Sequence, residues 1–169
     1  AFYQTCIDSV ARYAKRIGAE HIVQREPILR IAPLKSCRSA NALRLGYLPI
    51  YEKECAFTYL GQYDQVLILD ADIYVRDSAP DIFAESGTAF AGVLERDMPL
   101  TAKYAEKVRK HSWGQFSELG DVDWKWDWRG VEYFNMGLML LHRSLLYYLH
   151  DTPEEFIRRP EFERFVNGE

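Results

Sequence analysis

The run VLILDADIYV sets two carboxylates, Asp70 and Asp72, inside one of the most apolar stretches of the chain. A buried carboxylate must be paired, protonated or bound to a cation, so whatever neutralises this pair marks a site. The tetrapeptide VLIL reads as a buried strand, and Asp70 follows it directly, at the carboxyl end where open α/β sheets hold their ligands. In extended backbone, residues i and i+2 point the same way with Cα atoms roughly 6 to 7 Å apart. That spacing predicts two carboxylates facing one hard divalent cation, with the small Ala71 between them. Mg2+ or Mn2+ held by one or two carboxylates fills its shell with water and phosphate oxygens, which makes the pair a metal-diphosphate clamp in outline.

Three further groups invite chemistry. FNMG places Asn135 at the mouth of an apolar strand, with Gly137 allowing close backbone approach. The loop GDVDWKWDWRG holds Trp124, Trp126 and Trp128 at alternate positions beside Asp121, Asp123 and Asp127. Indole faces next to carboxylates suit sugar C–H faces and hydroxyls; a strand burying one face of the indoles is the competing reading. Asp121 and Asp123 form a second DxD, but no apolar strand precedes them and Gly120 marks a loop, so they rank below the first pair. His21, His111, His142 and His150 have no ligand spacing.

The elements that must position these residues follow from periodicity. Ile7, Val10, Ala14 and Ile17 recur at helical steps, with Gly18 where a left-handed cap belongs. AEHIVQ, centred on Ile22 and Val23, is expected to be a strand. Beyond Pro27 and Pro33, LPIYEKECAFTYLG predicts a second helix with Leu48, Cys55 and Tyr59 inward and Gly61 closing it. QYDQVLILD is then a buried strand, DSAPDIF a turn and short helix, TAFAGVLE a strand, and TAKYAEKVRKH a third helix. FNMGLMLL is a third strong strand, and SLLYYLH and TPEEFIRR are closing helices. Alternating helices and apolar strands predict an α/β layer fold with a mainly parallel sheet. Residues 1–169 suffice for one domain.

A net charge of −4 with scattered Lys and Arg argues against nucleic acid as a partner. Cys6, Cys37 and Cys55 make no CxxC pattern, which fits a reducing compartment and weakly favours a cytoplasmic setting. No apolar run reaches the roughly 18 residues of a membrane span.

YDQVLILDADIYVRDSAPDIF resembles the DxD segment of the family 8, glycogenin-like glycosyltransferases, and FNMGLMLLHRS resembles their FN(S/A)G strand. The two motifs come in the family's order, 65 residues apart from Asp70 to Asn135, and the likeness runs from about Ile7 to Leu141. The resemblance implies a GT-A fold, a Rossmann-like mixed and mainly parallel sheet flanked by helices. It implies transfer of a hexose from a nucleotide-diphosphate sugar, a UDP-sugar being the expected donor, to a carbohydrate, lipid or protein acceptor, with retention at the anomeric carbon. Asp70 and Asp72 would coordinate Mn2+ or Mg2+ bridging the diphosphate, and Asn135 and Gly137 would lie against the sugar or diphosphate. A basic residue upstream of the DxD contacts the donor in such enzymes. Lys53 is the candidate and Arg44 its rival, although Glu54 stands where the simplest ungapped alignment wants the basic residue.

The family's base-binding strand would precede Ala1 and its metal-binding histidine would follow Glu169, so the expectation is a fragment whose uncovered sheet edge self-associates. A non-catalytic nucleotide-sugar or glycan binding module is the alternative. A haloacid-dehalogenase-like phosphatase ranks lower: its DxD usually opens the chain, whereas here it arrives at residue 70, and Tyr74 occupies the place that family gives to Thr or Val.

Overall fold

The computed structural model describes residues 1–29, 49–88, 90–98, 101–116, 128, 132 and 134–160. Helix α1 (Phe2–Ile17) ends where its sequence says it should: Gly18 takes the left-handed conformation, φ 71° and ψ 23°, and its N–H returns to the Ala14 carbonyl. The buried stripe of α1 is nevertheless rotated from the aliphatic one, being Cys6, Ser9, Tyr13 and Ala14, with Ile7, Val10 and Ile17 only half-buried. The reason is polar. Ser9 Oγ donates to the Cys6 carbonyl at 2.7 Å and accepts from Val75 N at 2.9 Å. Tyr13 Oη donates to the Pro80 carbonyl at 2.8 Å and accepts from Ile82 N at 3.0 Å. These bonds satisfy backbone groups of a loop with no ladder of its own, so α1 turns its hydroxyl-bearing face to residues 75–82.

The expected strand at AEHIVQ is absent: residues 19–25 carry no ladder, and Ile22 is 45% exposed. A strand exists through its partner, and this segment is tethered by side chains instead. Tyr63 bonds Glu20, and Gln24 donates to Glu52, whose carboxylate also accepts from Ile28 N and Leu29 N at 2.8 and 2.9 Å. The predicted second helix forms as a 3₁₀ segment, Pro49–Gly61. Cys55 and Leu60 are buried, and Phe57 and Ala56 join a core of Leu60, Ile68, Met139 and Leu141. Cys6 and Cys55 are free thiols.

Three strands are described: β1 (Gln65–Leu69), β2 (Ala91–Leu94) and β3 (Phe134–His142), in the order β1-β3-β2. Both pairings are antiparallel, with Leu69 opposite Leu138 and Val66 opposite Leu141, so the mainly parallel sheet expected from the alternation is not what these residues form. Composition reports that a strand is buried, and direction is decided by its neighbour. Since β1 and β2 both oppose β3, they run the same way as each other, connected through the short helix α2 (Ile82–Ser86), which Asp81 caps by accepting from Phe83 N and Ala84 N. Met139, Leu140 and Leu141 are buried in succession, which requires cover on both faces of the sheet. Helix α3 (Ala102–Phe116), a 3₁₀ turn at Arg143–Tyr147 and helix α4 (Pro153–Ile157), opened by a Thr152/Glu155 capping box, complete a mixed α/β fold. No helix among the described residues is long and apolar enough to cross a membrane.

Candidate functional site

The two motifs meet. Strand β1 stops at Leu69, and Asp70 N continues the pairing by donating to the Gly137 carbonyl at 2.9 Å. On its other side β3 leaves β2 at this level: it advances four positions, from Met139 back to Asn135, where β2 advances one, from Gly92 to Val93. The irregularity frees Met136–Leu138 from β2, and their backbone serves the site instead. Met136 O accepts from Lys53 Nζ at 2.9 Å, and Gly137 N donates to Asn135 Oδ1 at 2.8 Å. Lys53 Nζ also lies 2.5 Å from Asp70 Oδ1, so the lysine of the 3₁₀ segment joins the strand end to the bulge. A Cβ at Gly137 would stand 2.8 Å from Asn135 Oδ1 and 3.0 Å from Asp70 Oδ2, so those side-chain ends would have to shift to admit one.

Lys53, Asp70, Asn135 and Gly137 therefore form one cluster at neighbouring strand ends. Asp72 stands differently from its expectation. Ile73 N donates to the Asp70 carbonyl at 3.0 Å, which makes residues 70–73 a turn, and Asp72 projects from it into solvent. The shared direction of i and i+2 in extended backbone does not apply to this pair, because the chain must leave the sheet at Leu69 to reach α1. Asp70 Oδ2 is turned towards the unsubstituted Gly137, and Asp72 is open to solvent. No group of three or more His, Cys, Asp or Glu gathers as a metal cage among the described residues.

Trp128 is 84% exposed. Trp124, Trp126, Asp121, Asp123, Asp127 and Arg44 lie outside the described residues. Sequence reasoning missed the Met136 carbonyl, which has no residue-type signal, and the supporting role of Ser9 and Tyr13, which was visible as two polar residues on an amphipathic helix.

Glu54 follows Lys53 in the chain. On a 3₁₀ segment residues three apart share a face, which puts Glu54 in the row of Phe57 and Leu60. Burial raises its carboxyl from 4.5 to about 7. The folded chain then holds a proton that the unfolded chain releases between those values, so stability falls as pH rises from 4.5 through 7, by at most about 3 kcal/mol. Urea midpoints at pH 5 and pH 8 check this. Wild type is expected to lose stability relative to Glu54→Gln over that interval, whereas a pH-independent difference would show the carboxylate to be solvated.

No protein-family model matches the chain, and neither a curated protein nor a solved structure shows significant similarity to it.

Proposed function

We propose that the chain binds a nucleotide-diphosphate sugar and transfers its hexose to an acceptor. The observation that carries this reading is the meeting of the DADIYV and FNMG segments, 65 residues apart from Asp70 to Asn135, around one lysine. A GT-A-like arrangement is the finer form of the α/β fold that this function calls for. Lys53 is held by Met136 O and Asp70, so its ammonium is positioned before ligand arrives and can face a phosphate oxygen without reordering. Asn135 presents an amide beside the Gly137 backbone, where hydroxyls of a sugar can bond. Asp70 and Asp72 would hold Mn2+ or Mg2+, which when bound supplies positive charge against a departing diphosphate. Trp128 offers an exposed indole to an acceptor.

The test is a thermal-shift and hydrolysis panel of nucleoside diphosphates and nucleotide sugars, each with and without Mn2+, beside a generic phosphoester. Metal-dependent stabilisation with sugar release is expected. Stabilisation without turnover would favour a binding module, and release of inorganic phosphate from the phosphoester would favour a phosphatase.

A further inference from the structure

Residues 75–82 are docked on α1, and between them lies a recess of about 170 Å³ lined by Arg12, Tyr13, Arg16, Arg76 and Asp77. Among the described residues, three arginines and a single carboxylate line it, a local positive excess on a chain whose net charge is −4. Arg12 and Arg16 are four apart on α1 and so share a face. Arg16 is fixed before any ligand arrives: its guanidinium lies over the Tyr13 ring, 5.2 Å from the centroid, and donates to the Ala79 carbonyl. The Tyr13 hydroxyl is in turn held by Pro80 O and Ile82 N.

Asp77 neutralises little. Its carboxylate is 3.6 Å from Arg12 Nε, between side chains 54% and 83% exposed, where an ion pair is worth little. Arg76, which a turn closed by Ala79 N on the Arg76 carbonyl brings to the recess, makes no side-chain hydrogen bond or ion pair among the described residues. A favourable interaction with the carboxyl end of α1 accounts for Arg16 in the last turn. It does not account for Arg12 a turn earlier, nor for an arginine delivered by a loop.

We propose that this recess is an anion site that takes a phosphate group, separate from the Lys53 and Asp70 cluster. Guanidinium forks match phosphate oxygens two bonds at a time, and three of them from two elements surround a space of suitable chemistry. Among the described residues the only aromatic ring lining the recess is that of Tyr13, already covered by Arg16, so these residues offer no wall for a nucleoside base. The ligand is therefore inorganic phosphate or the phosphate of a small ester.

The experiment is a metal-free titration with inorganic phosphate and, separately, glycerol phosphate, read by calorimetry and by the NMR signals of the arginine Nε–H groups. Saturable shifts at Arg12, Arg16 and Arg76 are expected, with affinity falling at least about tenfold in Arg12→Gln/Arg76→Gln and partly in Arg76→Lys, which keeps the charge but loses the fork. Equal binding of both probes shows that the phosphate group itself is what the site recognises and that an ester is admitted, and binding of inorganic phosphate alone assigns the free ion. Absence of saturable shifts in the wild type, or unchanged affinity in both variants, overturns the site. Because no divalent metal or nucleotide is present, either result is independent of the nucleotide-sugar reading.

Discussion

The Asp70→Asn, Asp72→Asn double variant is expected to fold and to lose about 100-fold or more in Mn2+-dependent affinity for UDP. Asp72 is exposed and the Asp70 side chain is 38% exposed, so neither carboxylate belongs to the core. Replacing both removes two charged contacts, each worth ~1.5 kcal/mol or more, which together make about a 100-fold change. The single variants should differ. Asp70→Asn also takes the anion from Lys53, whose ammonium keeps only the Met136 carbonyl, whereas Asp72→Asn disturbs no described contact. Stability should therefore fall modestly in the first and stay put in the second, while both weaken metal-dependent binding. Calorimetric titration of UDP with and without Mn2+ measures the effect, and unchanged affinity in the double variant would place the metal elsewhere.

Much of what positions this cluster can be read from residue type. Gly18 as a cap and the apolar runs that become β1, β2 and β3 are local signals, each decided by a few adjacent residues. What was not legible depends on distant partners. Ile22 and Val23 have strand composition but no ladder, because side-chain tethers to Glu52 and Tyr63 hold their segment. The direction of β3 against β1 is set by a pairing no single run encodes. The turn at Asp70–Ile73 overrides an extended reading of DADIYV because Ser9, 66 residues earlier, captures Val75 N. The same dependence explains the candidate site. Asp70, Asn135 and Gly137 stand out by type, whereas Lys53 reaches them only because the 3₁₀ segment packs Leu60 and Phe57 against Ile68 and Met139.

Gly137→Ala separates a ligand site from an ordinary strand glycine. The new methyl carbon would sit 2.8 Å from Asn135 Oδ1 and 3.0 Å from Asp70 Oδ2, closer than such contacts tolerate, so one or both side chains must move. Both are termini of side chains that can swing away, so the stability cost should stay within about 1–3 kcal/mol, the usual range for overpacking. Binding should suffer more than stability, because moving Asp70 breaks its contact with Lys53 and moving Asn135 releases Gly137 N. A displacement of this kind is expected to weaken UDP-sugar binding by about tenfold or more, since positional errors on the order of 1 Å are costly in a preorganised site. Gly92→Ala is the matched control. Its methyl would stand 2.9 Å from Phe134 Cδ1, crowding the same strand β3 against an aromatic ring instead of the acid cluster. Both variants should shift the urea midpoint by similar amounts, and Gly137→Ala should show the larger loss of nucleotide-sugar affinity. Equal losses in the two, or normal binding by Gly137→Ala at reduced stability, would mean that the bulge beside Asp70 serves packing and that donor binding lies elsewhere on the chain.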